Sequence, residues 1–354
     1  MTIFKKKKFL ISPLLNRYYF LIPPLLRRHS FLIIPPLLRG ARGDLFFNLF
    51  LILIAFNLSG CNQQQLTEIN EPISQPKEEL KLDNQENKLN LTVSILPQKY
   101  FVEKIGGELV TVNVMVEPGM VAETYEPLPQ QLTNLSKSIA YISIGVPFED
   151  AWLNKIKSAN SQIQIINSGE GIEKIALIDH NHDHNHSEDE EKESLDPHIW
   201  LSPKLAKIQA ENIYNALVNI DSKNQVIYQQ NLDNFLREID QLDAQIKEKF
   251  TDLKRRKFMI YHPAWGYFAK DYNLEQISIE FEGQEATSGE LAKLITQAKK
   301  DNIKVVFTQP QFSSKTVDAF AKEIGGEVIL LDDLAQNWSE NLLQVADKLS
   351  RSMK

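Results

Sequence analysis

Residues 221–253 read DSKNQVIYQQNLDNFLREIDQLDAQIKEKFTDL, inside the longest stretch of the chain without glycine or proline, Lys204 to His262. Asp221-Ser222 interrupts that stretch as an expected N-cap, because a short oxygen-bearing side chain accepts from the free N–H groups of a first helical turn. Beyond it, apolar residues recur at Tyr228, Leu232, Phe235, Ile239, Leu242, Ile246, Phe250 and Leu253. Steps of three or four put all eight on one stripe, which makes the segment a single amphipathic helix. About 32 residues at 1.5 Å each give roughly 48 Å, longer than a small domain is wide. A helix of that length can span two lobes.

On both sides of it, short apolar runs alternate with helical stretches. Leu91, Val93 and Ile95 alternate up to Pro97, Val110–Val116 runs to Pro118-Gly119, and Ile139–Ile144 and Gln162–Ile166 follow. After the helix, strands are expected at Lys257–Tyr261, Gln276–Glu280, Val305–Thr308 and Val328–Leu331. Helices are expected up to Phe268 and over Ser288–Lys300, Ser314–Ile324 and Asn341–Leu349. Such β-α-β-α order builds mostly parallel sheets with helices on their faces. The expected fold is therefore α/β. One lobe covers 89–220, a second covers 254–354, the rigid helix 221–253 joins them, and a cleft lies between.

The first 88 residues read differently. Phe9-Leu10-Ile11-Ser12-Pro13-Leu14-Leu15 recurs at Phe20–Leu26 and again at Phe31–Leu38, each copy broken by proline. Residues 1–40 look like a translated DNA repeat upstream of the true start. Arg39 and Arg42 then precede an apolar run, Leu45 to Phe56, and Leu58-Ser59-Gly60-Cys61. A basic flank, a short apolar core and small residues before a cut form a signal peptide. Leu-Ser-Gly-Cys resembles the bacterial lipoprotein box, which implies a lipid on Cys61 and residues 1–61 as leader. Residues 62–88, rich in Gln, Asn, Glu and Lys, read as a flexible tether.

Length and composition bound the function. The 354 residues allow two domains or three, with 43% hydrophobic and 24% charged residues, ordinary for a globular protein. Residues 1–60 hold nine of the 39 Lys and Arg and one of the 46 acids, so the remainder is strongly acidic. An acidic body does not attract a phosphate backbone, and no nucleic-acid partner is expected. A single cysteine excludes intrachain disulfides and Cys-ligated clusters.

Histidine carries the chemical signal. His180, His182, His184 and His186 alternate with Asn and Asp, followed by Glu188-Asp189-Glu190-Glu191. This acid- and His-rich loop, 179–193, can hold zinc, copper or nickel loosely, since imidazole suits those ions. A mobile loop cannot impose geometry, so a tight site must lie elsewhere. His198 in Asp196-Pro197-His198-Ile199-Trp200 and His262 in Tyr261-His262-Pro263-Ala264-Trp265-Gly266 are the remaining candidates of the mature chain. His262 follows a strand, where ligands of open α/β sheets sit.

Four stretches together resemble the zinc and manganese solute-binding proteins of ABC transporters. They are Glu117–Pro127, Asp196–Leu201, Tyr261–Phe268, and Thr308–Ser313 leading to Leu331-Asp332-Asp333-Leu334. The likeness runs in order over residues 89–354. It implies one metal ligand from each stretch: Glu123, His198, His262 and Asp332, with Asp333 one register away. Relatives usually carry histidine where this chain has Glu123, and zinc-type relatives often carry Glu where it has Gln309. The His loop and the histidine at the third position favour Zn2+ as cargo. The oxygen-richer first position pulls toward manganese or iron, so Mn2+ is the alternative. Binding should weaken as the two histidines protonate below about pH 6.5.

The resemblance further implies a monomer, lipid-anchored in the periplasm or on the outer face of the cytoplasmic membrane, feeding a membrane permease and its ATPase subunit. Some members of the family are surface adhesins, an alternative that sequence does not separate. An enzyme is not expected. The chain has no His-Glu-x-x-His helix for a zinc hydrolase and no phosphate-binding Gly-x-x-x-x-Gly-Lys loop, so ATP hydrolysis must belong to a partner.

Overall fold

The computed structural model describes residues 88–177, 194–281, 283–312 and 314–354. The leader, Cys61, all of the tether except Lys88, and the loop histidines His180, His182, His184 and His186 lie outside these residues. The described residues all fall within one unit, Glu79–Lys354.

Two four-stranded parallel sheets are built on the same plan. The first comprises β1 (Leu89–Val93), β2 (Val110–Val114), β3 (Ala140–Ser143) and β4 (Gln164–Asn167), in spatial order β2-β1-β3-β4. Helices α1 (Leu96–Gly106), α2 (Pro129–Leu135) and α3 (Pro147–Ala159) connect its strands. In the second sheet, β5 (Lys257–Ile260) pairs with β6 (Glu275–Ser278) on one side and β9 (Val305–Thr308) on the other. β10 (Glu327–Leu330) then closes the order β10-β9-β5-β6. Its connections hold α6 (Gly266–Asp271), a small antiparallel hairpin of β7 (Glu280–Phe281) and β8 (Gln284–Glu285), α7 (Ser288–Lys300) and α8 (Ser314–Glu323). In each sheet the chain steps to one side of the first strand and then to the other. That reversal opens a crevice at the strands' carboxyl ends, between β1 and β3 and between β5 and β9.

The Gly- and Pro-free stretch is two helices, not one. α4 (Pro203–Ile220) ends where Asp221 leaves helical geometry, and Ser222–Asn224 form a 3-10 turn before α5 (Gln225–Lys249) begins. Asp221 is thus the C-terminal cap of α4 and not the N-cap of α5. Its carboxylate accepts from Asn224 Nδ2 at 2.7 Å and Tyr228 Oη at 2.8 Å, bonds that hold the turn. At the other end Phe250 leaves the helix, its ring packed on Phe268 and Tyr272 and its carbonyl taken by Arg256. The expected span 221–253 therefore shortens to 25 residues, about 37 Å. The apolar stripe is as the spacing predicts: Tyr228, Leu232, Phe235, Ile239, Leu242 and Ile246 are all buried.

What α5 buries is a core common to both sheets. Its stripe packs on α1, α4 and the C-terminal α9 (Trp338–Met353). The same hydrophobic cluster takes Phe258 and Ile260 of β5 and Phe307 of β9. Met259 and Val306 point the opposite way, as period-two alternation requires, into a second core under α7 and α8. Phe101 of α1, Phe235 of α5 and Trp338 of α9 meet with ring centroids 5.0 to 6.3 Å apart. Trp338 Nε1 donates to the carbonyl of Trp200, and Trp200 Nε1 donates to the carbonyl of Asp333, each at 2.7 Å. These buried bonds fix the segment after His198 against the segment after β10. Phe235→Ala should remove the centre of this aromatic knot and cost about 3–5 kcal/mol, read as a lowered urea midpoint at unchanged slope.

Candidate metal centre

His262 lies two residues beyond β5, in the crevice between β5 and β9. The fully buried Gln309, just past β9, donates from Nε2 to the His262 carbonyl at 2.9 Å and accepts the His262 N–H at 3.4 Å. An amide can do both at once, which a carboxylate cannot. Phe312 stacks on the His262 ring at 4.8 Å. The ring's Nδ1 is 2.7 Å from Oε2 of the buried Glu280, whose other oxygen takes the Gly283 N–H.

His198 comes from the other half of the molecule, ahead of a 3-10 turn at Ile199–Leu201. Its backbone N–H and its Nδ1 both meet Asp196 Oδ1, at 2.9 and 2.8 Å. Asp196 is buried against the start of α6: Tyr267 Oη donates to its carbonyl, and a Cβ on Gly266 would come within 2.7 Å of its Oδ2. Gly266 is thus needed for close approach.

Both imidazoles therefore turn Nδ1 to a buried carboxylate and Nε2 into the cleft. Glu123, on the loop between β2 and α2, completes the set. Its Oε1 is 3.3 Å from His198 Nε2 and 3.4 Å from His262 Nε2, and the two Nε2 atoms are 3.3 Å apart. Among the described residues, this trio is the group with converging ligand atoms. The triangle has the size of one face of a tetrahedron. Bonds of about 2.0 Å in four-coordinate geometry separate ligand atoms by about 3.3 Å, whereas six-coordinate geometry at that bond length gives about 2.8 Å.

The electrostatics fit a cation. Burial alone would depress both imidazolium groups. For His198, Asp196 and Glu123 overcome burial and raise the pKa to about 10. For His262, bonds to Glu123 and Glu280 raise it to about 9, against burial and the neighbouring His198 charge. Burial would raise Glu123, but bonds from both imidazoles hold it well below the usual carboxylate range. Protons thus occupy, in the metal-free site, the space a cation would take.

Of the two acids after β10, neither Asp332 nor Asp333 joins the trio of converging ligand atoms. Asp332 Oδ1 folds back to the Leu334 N–H at 2.9 Å, and its nearby charge is Lys348. Asp333 is the buried neighbour that shares the field of His262, His198 and Glu123, while Gln311 Nε2 holds its Oδ1 at 2.8 Å.

Two carboxylates that hold the imidazoles of this trio, Asp196 and Glu280, went unassigned from sequence. Asp196 stood in view two residues before His198, a spacing that lets one carboxylate reach both the N–H and Nδ1. Glu280 lies 18 residues from His262 and gives no local signal. Because a ligand's outer carboxylate fixes its tautomer and basicity, Glu280→Gln should weaken metal binding about 10–100-fold. Competition with a chromophoric chelator would measure it.

Comparison with known proteins adds the following. Residues 91–352 match the family model described as zinc-uptake complex component A, periplasmic, ZnuA. The high-affinity zinc uptake system protein ZnuA of Bacillus subtilis is 30% identical over 257 residues, 71% of this chain and 80% of that protein. A manganese ABC transporter substrate-binding lipoprotein of Streptococcus gordonii, scaA, is 26% identical over 291 residues, 78% of this chain and 85% of that protein. A crystal structure of ZnuA superposes with a TM-score of 0.70 at 46% identity, covering 75% of this chain and all of the other.

Proposed function

This chain belongs to the ZnuA family of periplasmic zinc-uptake components, and from that premise we propose that Zn2+ is its cargo, held by Glu123, His198 and His262. It is a metal solute-binding protein of an ABC importer and not an enzyme. Such proteins deliver to a permease powered by a separate ATPase, the division of labour proposed here. The observation that supports a metal here is the convergence of three ligand atoms 3.3–3.4 Å apart, and the choice of zinc follows the family the chain belongs to. Asp333, on the cleft side, is the fourth ligand we assign, in place of Asp332. Manganese remains the second reading because Glu123 supplies oxygen where an imidazole would favour zinc.

The remaining assignments rest on sequence. Cys61 anchors the mature protein by lipid at the outer face of the cytoplasmic membrane, residues 62–88 tether it, and it acts as a monomer. The loop 179–193 adds weak metal equivalents through His180, His182, His184 and His186.

Titrating the metal-free mature protein with zinc in the presence of equimolar manganese tests the assignment. One tight zinc equivalent that manganese does not displace is expected. Preferential loading of manganese, or no tight equivalent, would overturn it.

A further inference from the structure

The three ligands differ in how they are held. The His198 and His262 side chains are 2% and 7% exposed, and each is pinned at Nδ1 by a carboxylate that is itself buried. The Glu123 side chain is 27% exposed. Among the described residues, the two imidazoles are the ion-pair partners of its carboxylate, each nearest to Oε1. Its backbone lies on an irregular loop: Gln131 of α2 takes Tyr125 Oη and the Leu128 N–H on Oε1 and donates to the Met115 carbonyl, and the Met120 N–H closes a turn on the Glu117 carbonyl. Of its immediate neighbours on the loop, Thr124 is exposed and Ala122 is buried.

We infer that Glu123 is the exchange ligand of the site, last to bind the ion and first to leave, and that zinc is handed over by ligand substitution at the Glu123 position. This rests on the cleft site proposed above. An acceptor presenting a carboxylate or imidazole enters from the exposed side. Its bond to zinc forms as the zinc–Oε1 bond breaks, while the two histidines still hold the ion. The coordination number is kept, no electrons are transferred, and Glu123 leaves as the carboxylate it was. The alternative is release by parting of the two histidines. That route would disturb Asp196 and Glu280 and the Trp200–Asp333 bond, all of them buried.

Stopped-flow transfer of zinc from protein loaded with one equivalent to excess EDTA distinguishes the two routes. The rate should rise in proportion to EDTA concentration. Glu123→Gln, which keeps shape and removes the charge, should raise the second-order constant roughly tenfold or more, since affinity differences reside mainly in dissociation. Glu123→His should slow it. A rate independent of EDTA, or a Glu123→Gln rate within twofold of the parent, overturns the inference. Failure of the underlying site shows elsewhere: His198→Ala would then retain the tight equivalent at equilibrium, whatever the kinetics.

Discussion

Replacing His198 or His262 with alanine is expected to lower zinc affinity by about two to three orders of magnitude. Zinc held by a complete set of protein ligands is worth about 10–16 kcal/mol at neutral pH, so each of four ligands contributes about 2.5–4 kcal/mol. Among the described residues no further ligand atom converges with the trio, and Asp333 lies outside it, so neither loss is made up in place. His262→Ala should be the worse of the two for stability. It leaves Glu280 buried with only the Gly283 N–H as partner and takes the ring from under Phe312. His198→Ala keeps the Asp196 bond to the residue 198 backbone. Calorimetric titration with zinc, alongside thermal unfolding of the metal-free variants, separates lost ligation from lost fold. Parent-like affinity in either variant would remove that residue from the site.

Zinc binding should release close to two protons at pH 7.5. An ordinary histidine, at about 6.5, is mostly neutral there and would give up about a tenth of a proton. In this site Asp196, Glu123 and Glu280 overcome burial and keep the imidazoles protonated to about pH 10 for His198 and about pH 9 for His262. The ion must expel those protons, so affinity should climb with pH through neutrality and level off only near 9 to 10. That is a higher window than the 6.5 expected from the histidines alone, and the buried carboxylates are the reason. The metal-free fold should follow the opposite sign. Raised imidazole pKa values add stability that is complete below about pH 6.5 and is lost as pH rises through 9 to 10. The lowered Glu123 adds stability present above the ordinary carboxylate range and lost in strong acid. Titration in three buffers of different ionisation enthalpy counts the protons. A release near zero would mean the site is already deprotonated, and the affinity would be flat above pH 7.

Periodicity in the sequence was a good guide wherever burial follows from one-dimensional spacing. The α5 stripe and the eight sheet strands are of that kind, the strand ends shifted by a residue or two and the helix shortened by four at each end. Local hydrogen-bond competition was less legible. Asp221 suits an N-cap by composition, yet Asn224 and Tyr228 draw its carboxylate into the end of α4. The Asp332-Asp333 pair shows the same limit at the site. Both are acids in the matching stretch just beyond β10, and only their three-dimensional placement sets Asp333, not Asp332, in the field of the two histidines. Glu280 was invisible because its partner is brought to it by pairing of β5 with β6, a contact no short motif encodes. The resemblance gave His198 and His262. The geometry added what holds them.

A crystal structure of the one-equivalent zinc complex, with the ion located by its anomalous signal, tests the central claim most directly. The account predicts a single ion about 2.0–2.1 Å from Glu123 Oε1, His198 Nε2 and His262 Nε2, with both Nδ1 atoms still on Asp196 and Glu280. An ion bound away from this cleft, or one ligated through Asp332 with Glu123 turned to solvent, would contradict it.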